Sequence, residues 1–291
     1  DVATHIASEV AKMPELRLLT DGSELPVFAF TLANGVSGYT VFDISRPACR
    51  RLAEVVARVG SHPADTVRGC EFIVTLLPTS VEVRQTLCGV NGALEAAREG
   101  AVFIDMTTGA LDHFMRMHGE LAARGMTLID SPIARGPDFA AAKQNLFLVG
   151  GEGADIERIR PVLAPVCEEV IHCGPAGNAL KTKIINNYLA SVSVVANAEA
   201  LALARAVGLD RDFLRGLWKR TVAGRGALET VYPGKAFAGD YTPGFSARLA
   251  RKDLELAQQM GEDHGVRLAT GAAAAEMFSL QQSQGRIDDD W

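Results

Sequence analysis

Lys183 and Asn187 stand four residues apart in KTKIINNYLASV (181–192), within an apolar-rich run. Positions four apart share one face of a helix, so an ammonium and a carboxamide there can converge on one small ligand. Ile184, Ile185, Tyr188 and Leu189 flank the pair with apolar side chains. A lysine in such surroundings has its pKa lowered toward working pH, as general acid–base chemistry requires. The competing reading is a solvated helix face, because Lys and Asn usually stay exposed. Lys181 is a rival on a different face.

Asp43 is a second candidate. It closes GYTVFD (38–43), a strand ending in an acid. In a dinucleotide-binding sheet such a carboxylate accepts from the ribose hydroxyls; taken alone, it is equally a plain strand-end acid. The glycine-rich turn that goes with it falls about 20 residues earlier. There the chain reads LRLLTDGSELP (16–26), with Gly22 as its one glycine and no G-x-G-x-x-G.

The elements that must hold these residues alternate. GYTVFD, EFIVTLLP (71–78), AVFIDMTT (101–108), MTLIDSPI (126–133), NLFLVGG (145–151) and EEVIHCG (168–174) read as strands. RPACRRLAEVVARVG and LDHFMRMHGELAARG between them carry apolar residues at helical spacing. The run at 72–77, apolar except for Thr75, suits a strand buried on both faces. This is the rhythm of an α/β fold, a Rossmann-like doubly wound parallel sheet. After Gly177 the texture changes. Residues 178–207 contain neither Gly nor Pro, enough for one helix of roughly 45 Å, closed by Gly208. The expected organisation is a dinucleotide-binding domain over 1–175 and an all-α domain over 176–291, hung on a long interdomain helix.

Composition narrows the partners. A net charge of −6 and a pI near 5.6 argue against a nucleic-acid surface. No apolar stretch is expected to reach the roughly 18 residues of a membrane span, and the polar start DVATHIASEV lacks a signal-peptide core. Cys49, Cys70, Cys88, Cys167 and Cys173 are scattered, without a CxxC pair, and read as reduced thiols of a cytoplasmic protein. His113 and His118 are poorly spaced to share a metal, so no metal site is expected.

From Leu25 onward the chain resembles the β-hydroxyacid dehydrogenase family, which includes 3-hydroxyisobutyrate dehydrogenase and tartronate semialdehyde reductase. LPVFAFTLANGVSGYTVFD is similar to that family's first helix and second strand, TLLPTSVEVRQTL to its Leu-Pro loop, and IDMTTG to its D-x-S-T motif. CGPAGNALKTKIINN resembles its glycine-rich approach to a lysine and paired asparagines, and PGFSARLARKDLELA its closing motif. The resemblance implies that Lys183 exchanges the proton with the substrate oxygen as hydride moves to or from a nicotinamide, with Asn187 orienting it. It places Asp43, Leu77, Pro78, Thr108 and Lys252 on NAD, with NADP as the alternative. Phe245 and Asp253 fall on the substrate side, and the expected assembly is a homodimer or homotetramer. The implied substrate is a small hydroxyacid or semialdehyde.

Two stretches depart from that pattern. Aligning Pro26 with the family's proline sets Leu19, Asp21 and Glu24 where three glycines belong, and two carboxylates would repel a pyrophosphate. That departure keeps open a dehydrogenase-like binding protein with impaired catalysis. An imine reductase is the other alternative; the resemblance implies Asp or Tyr in place of the lysine there. In DSPIARGPDFAAAK (130–143), Ala134, Arg135 and Gly136 replace the Ser-Gly-Gly that holds a substrate carboxylate in hydroxyisobutyrate-type relatives. An arginine fork suits a carboxylate, sulfonate or phosphate. The pattern is nearer to the sulfolactaldehyde and succinic-semialdehyde reductase branch, whose substrates carry a further anionic group.

Overall fold

A computed structural model describes residues 27–31, 38–44, 58–135, 139, 142–164 and 167–291. The chain divides into two compact units, Asp1–Asn187 and Tyr188–Trp291.

The first unit is built on strands β1 (Val27–Thr31), β2 (Gly38–Phe42), β3 (Arg58–Val59), β4 (Phe72–Thr75), β5 (Val102–Asp105) and β6 (Thr127–Asp130). Their order in the sheet is β3-β2-β1-β4-β5-β6. β4, β5 and β6 are parallel, with Phe72 opposite Val102 and Val102 opposite Thr127. Alternation along these strands separates two cores. Ile73, Phe103 and Leu128 point to one face, where helices α1 (Pro63–Val67), α2 (Ser80–Cys88) and α3 (Leu111–Ala122) contribute Val67, Val83, Leu87, Phe114, Met117 and Leu121. Phe72, Val74, Val102, Ile104 and Ile129 point to the other, met by Ile156 and Ile159 of α4 (Gly153–Leu163). Strands buried on both sides by helices make the doubly wound arrangement.

Three expectations need correction. VFAFT (27–31) is a strand, not the family's first helix; its valine, threonine and two phenylalanines favour an extended chain. β1 also runs antiparallel to both neighbours, so Val27 lies beside Phe42 and Thr75 and the chain enters the sheet at the edge where β2 and β4 end. MTLIDSPI is broken: β6 stops at Asp130, before Pro132, and Ile133–Ala134 forms β7. With β8 (Leu146–Val149) and β9 (Glu169–His172), β7 makes a separate three-stranded sheet, joined to the first by a bridge between Asp130 and Gly150.

The helix α5 (Asn178–Ala206) leaves the first unit. Its first turn is buried through Ala179 and Leu180, yet Ile184, Ile185, Tyr188 and Leu189 are exposed, Tyr188 by 69%. They do not wrap Lys183 within one chain, contrary to the sequence expectation. By length and a mean hydropathy of 1.3, this helix is also long and apolar enough to cross a membrane, which corrects the expectation that no stretch reaches that size. Its polar residues have other engagements: the Glu199 carboxylate accepts from the amides of Thr270 and Gly271.

The second unit continues through α6 (Arg211–Trp218), α7 (Val222–Arg225), α8 (Ala227–Thr230), α9 (Ala247–Asp263) and α10 (Ala269–Ser283), the last two packed on each other. The two amides held by Glu199 are those that open α10, so the acid complements its N-terminal dipole.

Candidate active site

Ligands of doubly wound sheets bind beyond the carboxyl ends of the parallel strands. Here that edge carries several of the singled-out residues. Asp43 follows β2 and is 7% exposed. Leu77 and Pro78 follow β4, and the Leu77 amide donates to the Thr107 hydroxyl over 3.1 Å. Thr107 is fully buried after β5, so Thr108, next in the chain, is presented outward. Ser80, at the start of α2, accepts from the Ala110 amide. A Cβ on Gly109 would lie 2.2 Å from that hydroxyl, so glycine is what allows the two loops to meet. Thr79 caps α2 by accepting from the Val81 amide. The result is a ledge of two cross-tied loops with Asp43 at one end and Thr108 further along it.

It is on this ledge that the sequence resemblance expects the ribose and nicotinamide ends of a dinucleotide. The turn expected to face the pyrophosphate, with Leu19, Asp21, Gly22 and Glu24, lies outside the described residues, as does Gly136.

Beneath the ledge are two carboxylates that sequence reasoning passed over. Asp105 and Asp130 are opposite each other in the β5–β6 register. Asp105 accepts from the Thr75 hydroxyl at 2.9 Å and the Thr107 amide at 3.0 Å, and burial pushes its pKa up to about 6. Burial also raises the pKa of Asp130, whose two oxygens accept from the amides of Gly177 at 2.8 Å and Leu180 at 2.9 Å. In the sequence Asp105 is visible only as the acid of IDMTTG and Asp130 only as the first residue of DSPIARGPDFAAAK.

Lys183 lies one turn beyond Leu180. It is partly buried in a stretch of α5 that is otherwise exposed from Lys181 to Ala198. Burial lowers its pKa below the usual lysine value. Lys181, the rival, is exposed and donates to Asn178 Oδ1 at 3.0 Å, a local helix-start contact. Asn187 is exposed, and its Oδ1 accepts from Asn186 at 3.2 Å. Lysine and asparagine are thus one turn apart on the same helix, as their spacing predicts.

Ala134 ends β7. Arg135 follows it with φ at 72°, the left-handed region that a non-glycine residue seldom adopts. Its guanidinium donates to the Gln144 carbonyl and to the Glu168 carboxylate, and lies 5.5 Å from the centre of the Phe139 ring. In the second unit, Lys252 Nζ and Asp253 Oδ1 pair at 2.9 Å with both side chains exposed. Phe245 packs edge-on against Trp291 at 5.2 Å.

Residues 28–174 match the model of the NAD binding domain of 6-phosphogluconate dehydrogenase, and residues 177–291 match the model described as NAD-binding of NADP-dependent 3-hydroxyisobutyrate dehydrogenase. The 3-sulfolactaldehyde reductase of Escherichia coli (strain K12) is 34% identical, over 86% of this chain and 84% of the relative. The chain belongs to the β-hydroxyacid dehydrogenase family. A solved 3-hydroxyisobutyrate dehydrogenase of Mycobacterium tuberculosis with L-serine is 31% identical, with a TM-score of 0.59 and 86% of each chain covered. An imine reductase from Myxococcus stipitatus in complex with NADP+ superposes with a TM-score of 0.79, over 98% of this chain and 93% of that one. At 19% identity, that likeness speaks for the fold alone. Membership in the β-hydroxyacid dehydrogenase family makes the chain an oxidoreductase of the NAD(P)-dependent hydroxyacid dehydrogenase class.

Proposed function

We propose that this chain transfers a hydride between NAD, with NADP as the alternative, and a small β- or γ-hydroxyacid or its semialdehyde, using Lys183 to move the proton. The observation that carries this reading is the partial burial of Lys183, with its lowered pKa, on the helix that also bears Asn187. When bound, the nicotinamide supplies the hydride acceptor or donor. In oxidation the substrate hydroxyl gives its proton to the neutral Lys183 amine as its carbon loses a hydride. In reduction the Lys183 ammonium returns that proton to the carbonyl oxygen. Asn187 holds the substrate and orients the lysine. Asp43 receives the ribose hydroxyls, while Leu77, Pro78, Thr108 and Lys252 complete the dinucleotide contacts. Ala134, Arg135, Gly136, Phe245 and Asp253 serve the substrate. The working assembly is a cytoplasmic homodimer or homotetramer, which would cover the apolar side chains that α5 exposes.

The test is a panel of small hydroxyacids and semialdehydes with NAD and NADP, followed at the nicotinamide absorbance. Activity with none of them would leave the impaired-catalysis alternative standing. Asp43 predicts the cofactor, because a carboxylate there accepts from a free 2′-hydroxyl and repels a 2′-phosphate. We expect kcat/KM to be about tenfold higher with NAD, equivalent to ~1.4 kcal/mol, and the gap to close in Asp43→Ala. A wild type that favours NADP would remove Asp43 from the ribose.

The substrate class turns on Arg135. Glu168 engages its guanidinium, and since the pair is largely solvated it contributes at most about 1 kcal/mol. An anion-tailed substrate reaches the fork by displacing that carboxylate. Arg135→Ser should therefore lower kcat/KM for sulfolactaldehyde and succinic semialdehyde roughly tenfold, through loss of a charge-assisted bond, and spare 3-hydroxyisobutyrate. Glu168→Gln should act in the opposite sense. Equal effects on all three substrates would assign Arg135 to the edge of the β7–β9 sheet instead.

A further inference from the structure

The part of the helix that carries Lys183 is held from its N-terminal end; the far end is engaged separately, through the buried Ala204 and the Glu199 contacts to α10. Ala179 and Leu180 are the buried residues of its first turns, and Leu180 enters the core beside Phe103, Phe114 and Met117. From Lys181 to Ala198 the helix is exposed except at Lys183. Whatever fixes the first turn therefore fixes the lysine, which lies about 4.5 Å further along the axis from Leu180.

A single side chain from the sheet meets that first turn at two points. Asp130 is fully buried at the end of β6. Its Oδ1 accepts from Gly177 and its Oδ2 from Leu180, two of the amides that a helix start leaves without intrahelical partners. An ionised carboxylate there also complements the positive end of the helix dipole. The chain is shaped around this contact. Gly177 adopts a φ of 86°, and a Cβ on it would come 2.8 Å from Leu111 Cδ1. On the other side, Gly150 donates its amide to the Asp130 carbonyl at 2.9 Å, and a Cβ on Gly150 would lie 2.4 Å from Asp130 Oδ1. The Gly151 amide in turn donates to the Gly174 carbonyl, tying the loop that leads into α5 to the end of β8. Asp130 is thus the point where β6, the β8 end and α5 are locked together.

We propose that Asp130 is a positioning residue for the proton-transfer step: its carboxylate clamps the first turn of α5 and so sets where the Lys183 ammonium sits. The proposal rests on the reading of Lys183 as the proton-exchanging group. Two features separate a positioning device from a generic helix cap. The cap comes from a distant strand at the ledge where the dinucleotide is expected, rather than from the residue preceding the helix. Beyond Leu180, no side chain of α5 before Glu199 other than Lys183 leaves the exposed surface.

The full-length chain with Asp130→Asn, Asp130→Ala and Gly150→Ala tests this. Asparagine keeps the shape and one acceptor but loses the charge and the second acceptor, alanine removes both acceptors, and the added methyl at Gly150 displaces the carboxylate from the opposite side. The lysines are reductively methylated with a 13C label, the Lys183 signal is assigned by its absence in Lys183→Arg, and its titration is followed by NMR. Each variant should move the Lys183 titration toward that of an ordinary lysine, most for Asp130→Ala. It should also reduce kcat by an amount on the order of 10²-fold, as a misplacement of about 1 Å does, with the dinucleotide Kd unchanged. If Asp130→Ala fails to fold, the isosteric Asp130→Asn and the Gly150→Ala chain carry the test. An unchanged Lys183 titration in folded variants, whatever happens to their melting temperature, overturns the proposal and leaves Asp130 a stabiliser of the fold. The NMR readout does not depend on turnover. A Lys183→Ala enzyme that kept its kcat would therefore refute the catalytic reading separately from the clamp.

Discussion

Lys183→Ala is expected to lower kcat by about 10²–10⁴-fold while leaving dinucleotide affinity near that of the wild type. The split follows from where the lysine sits. Asp43, Leu77, Pro78 and Thr108, the residues of the first unit proposed to meet the dinucleotide, lie at the strand ends, whereas Lys183 is on α5. Removing its amine deletes the group that exchanges the substrate proton and leaves the ledge intact. Burial has already lowered the pKa of this lysine, so a working fraction of neutral amine is present at a lower pH than for a solvated lysine. The alkaline direction should accordingly favour oxidation and the acid direction reduction. Lys183→Arg keeps the positive charge but does not release a proton in the working range, so it should behave like alanine in oxidation. Turnover within a few-fold of wild type in Lys183→Ala would reassign the proton transfer. A parallel loss of cofactor affinity would show that the change had disturbed the ledge as well.

The parts of this arrangement that were legible in the sequence are those written in local pattern. The mostly apolar run at 72–77 announced a strand covered on both faces, and the Gly- and Pro-free stretch after Gly177 announced the long helix. The spacing of Lys183 and Asn187 was readable for the same reason, since one helical turn brings them to one face. What was not legible depends on contacts distant in sequence. Residues 27–31 carry strand-favouring side chains, but the family resemblance sets a helix there, and their pairing with β2 and β4 decides for the strand. NLFLVGG and EEVIHCG were readable as strands, but nothing local tells which sheet they join. Asp130 is followed directly by Ser131 and Pro132; the amides it holds are 47 and 50 residues away. The engagement of Arg135 by Glu168, 33 residues on, is equally invisible to a local reading. Even the α5 side chains next to Lys183 misled, because apolar character in sequence does not say whether one chain alone covers them.

Asp105 should make the folded chain less stable as the pH rises through about 6. Its carboxyl is buried beneath the ledge, and loss of solvation is the largest cause of its raised pKa; Asp130 on the neighbouring strand pushes the same way. Donation from Thr107 and Thr75 offsets only part of this. In the unfolded chain the group titrates near the ordinary value of about 3.9. Between that pH and about 6 the folded chain keeps a proton that the unfolded chain has released, so stability falls with rising pH across this window. A difference of about two pKa units amounts to ~3 kcal/mol once the pH is above both values. Asp105→Asn removes the titration while its carboxamide oxygen can still accept from the Thr75 hydroxyl and the Thr107 amide. Chemical denaturation of the two proteins from pH 4.5 to 8 is the measurement. The asparagine variant should be close to the wild type at the acid end and progressively more stable than it toward neutrality, against the usual cost of altering a buried polar group. Parallel stability curves across that range would mean that Asp105 already carries its charge at pH 5, and that the hydrogen bonds from Thr75 and Thr107 outweigh the burial.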